Sequence, residues 1–514
     1  MIYTVLVYFS LFSNGLVNQW DGIWEYNYYK AGRWSISCGR WLWPYLDRVR
    51  MGISVEPITT ILTCALFVAG FTFILYFLNR GYNSKRLLLL AAFIFLGSAP
   101  VCISLTYRFM SPTYGFAFLF AVLATMGLSR NSLIGIKTKK DIIIETLLCA
   151  FLIAAQMGLY QAYIGCTALL AIILLLDRLS DKETGFKEVV LLMVRFLISL
   201  ILGGILYIIG LKIHLKIAYT TLSEYKGGSE YSVINTFRNL GSSIKAAYVS
   251  FWNFFFGSDH RYMIFMKNRG FYFVFMGSVF LMLLAGIIIL IIRIYKQDIR
   301  KGVMSTVLFV LIPLATNLVM LIATGANLSL QMTVSLALVI PMILCLLQSK
   351  GSITAQGKTE RVVGAVQYVV IAVILYGVVM QTEVDQEAMR TGMISVTQMA
   401  EEITADLREE GILSANKKIC IVGVPSENNL YYLSRACEGA NLYALFGAWG
   451  GYSDRQSWGG VFHHLLGLNV EMASNSEYDS IKGNPELAEM PCFPEAGYIR
   501  EIDGIAVIKA SPGY

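Results

Sequence analysis

The residues best equipped for chemistry lie in one stretch near the start of the chain, residues 18–45, NQWDGIWEYNYYKAGRWSISCGRWLWPY. It holds two carboxylates, Asp21 and Glu25, three cations, Lys30, Arg33 and Arg40, and five of the chain's eight tryptophans. Glu25 follows Asp21 by one helical turn, a spacing that puts both carboxylates on one face if the segment is helical. A carboxylate shielded by indoles gains proton affinity and becomes a fit general base; a capping carboxylate at the start of a loop helix is the plainer reading. Gly39-Arg40-Trp41 then opens an apolar segment. Arg40 reads equally as a fork for a phosphate oxygen and as an arginine snorkelling to a membrane interface. Carboxylates, arginines and large rings together suit a site that holds a sugar and a lipid-linked phosphate at a bilayer edge.

Such residues need a frame that delivers them to one surface, and composition says what kind. The chain is 56% hydrophobic and 15% charged, with a mean hydropathy of +0.60, whereas ordinary soluble domains are about a quarter charged. That describes a polytopic α-helical membrane protein. Crossing the hydrocarbon core as a helix takes about 20 mainly apolar residues. Such runs stand at 57–78, 87–105, 111–128, 142–157, 161–176, 189–211, 271–292, 303–323, 330–347 and 362–380. The run 1–12 is too short to cross alone, so its helix is stunted or the true start lies upstream. Counted as the first, it makes eleven spans. It lacks the basic stretch that opens a cleavable leader.

Lys and Arg in the short loops set the orientation. Arg80, Lys85 and Arg86, then Arg130, Lys137, Lys139 and Lys140, then Lys296, Arg300 and Lys301, then Lys350, Lys358 and Arg361 mark one side as cytoplasmic. The alternate short connections hold one cation, Arg108, beside Tyr107 and ahead of Ser111-Pro112, where a second phosphate-binding arginine would stand. The first loop (13–56), the long loop (212–270) and the C-terminal segment therefore face outward. Residues 1–380 hold 32 Lys and Arg against 15 Asp and Glu, and residues 381–514 hold 9 against 19. The basic part suits anchoring to anionic lipid and an anionic lipid substrate. The acidic part reads as a solvated domain, and nothing points to nucleic acid.

Within the long loop, IKAAYVSFWNFFF at 244–256 reads as an interfacial amphipathic helix, and Asp259-His260-Arg261-Tyr262 is the loop's candidate for a substrate contact. Arg195 reads as snorkelling to the cytoplasmic face, and Gln156 and Asn317 as interhelical hydrogen-bonders. Beyond residue 380 the pattern turns to an α/β domain. Helical periodicity over 387–411 is closed by a glycine, KICIVGV at 418–424 is a buried strand, and Asp503-Gly504 is a hairpin turn between 498–502 and 505–509. The Gly- and Trp-rich segment 447–460 suits stacking on a sugar ring, or equally a loop filled with packing tryptophans. The nine cysteines follow no metal-ligand spacing.

Several of these features form an ordered set. An outward loop carries an aspartate, Gly39-Arg40-Trp41 follows some distance on, and the turn Gly158-Leu159-Tyr160-Gln161-Ala162-Tyr163 joins two spans. The chain ends with Met490-Pro491-Cys492-Phe493-Pro494, Gly497-Tyr498 and then Ile502-Asp503-Gly504-Ile505-Ala506-Val507-Ile508-Lys509. In that order they resemble the GtrII-type (serotype-converting) membrane glucosyltransferases. The family often carries paired acidic residues where this chain has Trp20-Asp21-Gly22.

The resemblance implies a GT-C architecture and an inverting glycosyltransferase on the outer face of the cytoplasmic (inner) membrane, with its C-terminal α/β domain extracytoplasmic. It implies a donor sugar on polyprenyl phosphate, by family glucose on undecaprenyl phosphate, and an acceptor that is a cell-surface glycan or a lipid-linked precursor. A donor synthase and a flippase of the same pathway would be partners. Asp21, helped by Glu25, would take the acceptor's proton. Arg40 and Arg108 would hold the leaving phosphate, with Trp41, Tyr107, Tyr160, Gln161, His260 and Arg261 around the substrates. A monophosphate held by arginines needs no metal, and no cofactor is expected. A transporter or flippase of a lipid-linked sugar competes; it predicts inverted repeats and ionisable residues at the bilayer midplane, whereas the charges here gather at the outer surface. A glycan-binding scaffold would explain the acidic tail but not Asp21 with Arg40.

Overall fold

The computed structural model describes residues 1–78, 84–129, 138–223, 238–257, 269–322, 328–348, 358–415, 417–423, 435–445 and 455–512. Among them, eight helices are long and apolar enough to cross a membrane: Ile58–Phe77, Ser111–Leu128, Lys139–Leu159, Gln161–Ser180, Phe186–Ile217, Gly270–Tyr295, Ile299–Thr316 and Gly364–Glu409. Lys85–Leu96 and Ala99–Thr106, bent by 45°, make a ninth if taken as one span. The chain is a mostly helical, multi-pass membrane protein. The remaining expected spans fall short in length. The N-terminal run is two short helices, Ile2–Val7 and Phe9–Ser13, and the run at 330–347 is broken into Leu330–Met332, Val334–Ala337 and Val339–Gln348.

The breaks have local causes. Pro100 stands in the first turn of Ala99–Thr106, where it suits a new helix and cannot continue the old one. Pro313 lies inside Ile299–Thr316. Asn317 ends that helix, its side-chain nitrogen donating to Pro313 O and to Ala247 O of the helix Leu240–Phe256. Thr138 and Asp141 form a reciprocal capping box ahead of Lys139–Leu159.

Packing between the helices is partly polar. Gln156 and Asn317 bond across helices as the sequence leads one to expect: Thr167 Oγ1 donates to Gln156 Oε1 at 2.6 Å, and Ser250 Oγ to Asn317 Oδ1 at 3.2 Å. Arg195 pairs with Glu145 of the neighbouring helix at 3.4 Å, which offsets the cost of a charge inside a span. Gln161–Ser180 is the central helix, 89% buried, while Phe186–Ile217 is 28% buried and lies at the periphery.

Hydrogen bonds sort the connections between two ends. At the basic end, Lys301 Nζ donates to Asp181 O and Gln297 Nε2 to Ser180 O. At the other end the first loop meets the connections that alternate with it: Asn18 N donates to Thr106 O, Leu42 N to Gly158 O and Ser223 N to Ser37 O.

One helix of 52 residues, Lys358–Glu409, carries the last span into the C-terminal region, so the boundary expected at 380/381 falls inside it. Just past that point it pins three parts of the chain. Thr382 Oγ1 donates to Gly97 O, Gln386 bridges Val7 O and Leu11 N, and buried Asp385 accepts from Asn441 N, Asn441 Nδ2 and Tyr443 Oη. Gly411, at φ 69°, closes the helix. A four-stranded sheet follows, with β1 (Lys418–Val422), β2 (Glu471–Met472), β3 (Ile499–Ile502) and β4 (Ile505–Lys509) in the order β2-β1-β4-β3. β1 runs parallel to β2 and β4, and β3 and β4 form the expected hairpin. Its turn residues Asp503 and Gly504 both have positive φ, which an Asp-Gly pair supplies at low cost.

Candidate active site

Asp21 opens a single helical turn, Asp21–Trp24, and Glu25 closes it, its N–H donating to Asp21 O at 2.9 Å. Asn18 builds the turn: its Oδ1 accepts from Trp20 N and Gly22 N, and its Nδ2 donates to Thr106 Oγ1. Gly22 has no room for a side chain, since a Cβ would lie 2.8 Å from Thr106 O. The two carboxylates thus share one face, as their spacing requires. Their environments differ. Asp21 is exposed, whereas Glu25 is half-buried. Burial, with the charge of Asp21 beside it, pushes the Glu25 carboxyl up to about 7.

Gly39-Arg40-Trp41 is fixed by the turn at Tyr160-Gln161. Gly39 adopts φ 84°, and a side chain there would run into Gln161. Gln161 Nε2 donates to Cys38 O at 2.7 Å and to Tyr207 Oη at 3.1 Å, and Tyr207 Oη donates in turn to Gly39 O at 3.1 Å. The Arg40 guanidinium lies over the rings of Tyr160 (5.1 Å) and Trp43 (5.8 Å), with Met110 Sδ 3.6 Å from Nη1. Trp41 is a packing residue. Its indole fills the gap left by Gly158 and Gly210, where a Cβ would come within 2.8 and 2.9 Å of it, and it stacks on His214 at 5.0 Å.

Tyr29 joins the two halves of the loop. Its ring stacks on Trp43 at 5.2 Å and leans on Phe109 at 5.0 Å. Burial raises its hydroxyl to about 12; the charge of Glu25 adds to the shift and that of Arg40 opposes it, so carboxylate and guanidinium act on one phenol. Tyr107, Tyr114, Tyr160 and Tyr163 continue the aromatic wall, edge to face at 6.4, 4.8 and 5.3 Å in sequence order.

Arg108 does not face this wall as a ligand would. It is 4% exposed, donates to Gly15 O at 2.8 Å and Tyr26 O at 3.4 Å, lies 4.3 Å over the Tyr26 ring and pairs with Glu56 at 3.3 Å. The phosphate-binding role expected of it gives way to a scaffolding one, because its fork is filled by the loop's own carbonyls. Asp47, which sequence reasoning passed over, does similar work. It is fully buried and accepts from Ala31 N at 2.9 Å, Trp43 Nε1 at 3.1 Å and Arg50 Nε at 2.8 Å. Arg50 reaches on to Ser54 Oγ and Phe109 O. The one-turn spacing from Trp43 to Asp47 within the helix Trp43–Val49 was the available signal. Burial raises the Asp47 carboxyl, against the opposing pull of Arg50.

The C-terminal region also reaches the loop. Helix Arg455–Gly460 packs on Asp21–Trp24, and His464 Nε2 stands 3.1 Å from Trp24 O, its ring stacked on Tyr26 at 5.7 Å. No local pattern marks His464. Trp458 is 1% exposed and lies beside Phe462, so it packs and does not offer a face to a sugar. The segment 446–454 lies outside the described residues, as do His260 and Arg261. Among the described residues, no group of three or more His, Cys, Asp or Glu is placed to hold a metal ion.

Residues 16–340, well over half of the chain, match the family described as Glucosyl transferase GtrII. The matched part includes the first loop and the turn at Tyr160-Gln161, and it ends before the helix Lys358–Glu409. No curated protein matches, and no solved structure does.

Proposed function

The chain belongs to the GtrII glucosyl transferase family and is a glycosyltransferase with a sugar donor and an acceptor; from that premise we propose that it moves glucose from polyprenyl phosphate to a cell-surface glycan or lipid-linked precursor, with inversion, on the outer face of the cytoplasmic membrane. The observation that supports the reading is that half-buried Glu25 and Arg40, the latter held over Tyr160 and Trp43, both act on the Tyr29 phenol; burial and the charge of Asp21 raise the Glu25 carboxyl to about 7. A base with its pKa near the working pH combines a useful ionised fraction with a strong pull on the proton.

The step runs as follows. The acceptor's hydroxyl oxygen attacks the anomeric carbon from the side opposite the phosphate, and its proton passes to the Glu25 carboxylate. The bond from the anomeric carbon to the phosphate oxygen breaks, and its electron pair leaves with the phosphate. Arg40, held over Tyr160 and Trp43, meets the charge that develops on that oxygen. The exposed Asp21 keeps the proton affinity of Glu25 high. The residue-level weighting thus shifts from Asp21, which the sequence favours as base, to Glu25. Tyr107 and the Tyr160 ring wall the substrates, and Gln161 acts through the Cys38 carbonyl and through Tyr207, which bonds Gly39 O.

Sidedness is supported by the gathering of the first loop, the turn at Tyr160-Gln161 and the C-terminal region away from the Lys- and Arg-rich end. On this reading 1–380 is the transferase unit and 381–514 an extracytoplasmic α/β unit. Membranes carrying the chain are expected to transfer radiolabelled glucose from polyprenyl-phosphate glucose to envelope glycan. Failure with every polyprenyl-phosphate sugar, over a range of acceptors, would sink the proposal and favour a flippase.

A further inference from the structure

The family match ends at residue 340, yet the peptide that carries Glu25 is gripped from a point more than a hundred residues later. Helix Arg455–Gly460 lies backbone to backbone on Asp21–Trp24. A Cβ on Gly460 would stand 2.6 Å from Ile23 O and 3.0 Å from Trp24 N, and one on Gly459 2.7 Å from Trp24 Cζ3. Only glycine permits that approach. The chain then widens into a π-helical turn, Val461–Leu465, a form that recurs at functional sites.

That turn presents two imidazoles to the loop. His463 Nε2 is 2.6 Å from Val470 O, which ties it back to its own region, and its ring tilts against Trp24 at 6.3 Å. His464 Nε2 is 3.1 Å from Trp24 O. A carbonyl oxygen only accepts, so Nε2 carries the proton and donates. The Trp24 carbonyl and the Glu25 N–H belong to one peptide unit, and that N–H donates to Asp21 O at 2.9 Å. The unit is therefore fixed at both ends, by Asp21 O at its nitrogen and by His464 at its oxygen. Stacking on Tyr26, whose ring also carries Arg108, fixes the plane of the imidazole.

We infer that His464 is a positioning residue for Glu25: the C-terminal region completes the active site by holding the Trp24–Glu25 peptide, which aims the carboxylate at the acceptor hydroxyl. The inference rests on the reading that Glu25 takes the proton. The close approach at Gly459 and Gly460 supplies the docking, and the His464 bond supplies the aim. A misplacement of about 1 Å at a reacting group can cost about 100-fold in rate, so one hydrogen bond to the backbone is enough to matter.

The test uses the full chain in membranes, with polyprenyl-phosphate glucose as donor. His464→Phe keeps a ring on Tyr26 and removes the donor, and His464→Gln keeps a side-chain N–H. The expected result is a loss of about 10- to 100-fold in kcat for His464→Phe, at unchanged KM for the donor, with most of it restored in His464→Gln. In a Glu25→Gln background, His464→Phe is expected to cause no further loss, because groups that act as a unit are non-additive. Wild-type kcat in His464→Phe, equal loss in both His464 variants, or a full further loss on top of Glu25→Gln would each overturn the inference. Glu25→Gln alone separates the two claims: if it transfers normally the functional reading fails, and if it is inactive while His464→Phe is normal only the positioning claim fails.

Discussion

The first loop and the connection at Arg108 hold two clusters of charge that look alike in sequence and differ in kind. Around Asp47, Arg50, Arg108 and Glu56 each charge is spent on a buried partner or a main-chain carbonyl. Around Glu25 and Arg40 stand a half-buried carboxylate with raised proton affinity and a guanidinium laid over the rings of Tyr160 and Trp43. On the proposed reading the first cluster is a frame and the second is the working surface. The difference teaches that an arginine in a loop is not a phosphate ligand by type: Arg108 is committed to two main-chain carbonyls and to Glu56.

Substitution separates the two clusters. The largest effect is expected from Glu25→Gln, a fall in kcat of about 100- to 10,000-fold, the usual worth of a positioned acid or base, with donor KM and thermal stability unchanged. Arg40→Ala is expected to lose about 100- to 1,000-fold in kcat, the worth of one donor aimed at developing charge. Arg40→Lys recovers little, because an ammonium does not reproduce a flat group lying over Tyr160 and Trp43. Equal activity of lysine and arginine at this position would break the comparison.

The frame answers differently. Asp47→Ala and Arg108→Met each remove one partner of a buried pair, a change worth about 3–5 kcal/mol of stability. Thermal inactivation is expected to shift downward sharply while kcat per folded molecule survives. A variant of Arg108 that stays stable but loses donor affinity would return that residue to the working surface.

The smallest effect is a shift in pH dependence. Glu25 accepts a proton only when ionised, so the rate of the wild-type chain is expected to fall as pH drops through about 7. Asp21 raises the Glu25 carboxyl by its charge. Asp21→Asn removes that charge, keeps Glu25 ionised to lower pH, and moves the acid limb downward. An inactive Asp21→Asn at every pH would instead put the base at Asp21.

Much of this was legible in the sequence, and the exceptions share a cause. Hydropathy runs located the long spans, Asp503-Gly504 announced its hairpin, and the Asp21–Glu25 spacing gave a common face. Gly39-Arg40-Trp41 and Tyr160-Gln161 were both marked, although not that the second clamps the first through Cys38 O. Arg108 was misjudged because its partners, Gly15, Tyr26 and Glu56, come from three separate places in the chain. His464 was invisible because it acts on Trp24, 440 residues earlier. The helix Lys358–Glu409 runs through 380/381 because helical periodicity does not change there, although hydropathy does. Local chemistry is written locally; saturation and long-range aim are not.

The most direct measurement is single-turnover transfer from radiolabelled polyprenyl-phosphate glucose by the wild-type chain and Glu25→Gln, with donor binding followed in the same samples. The account predicts that Glu25→Gln binds donor as the wild type does and transfers almost none of it. Transfer at the wild-type rate, with donor bound, would contradict it.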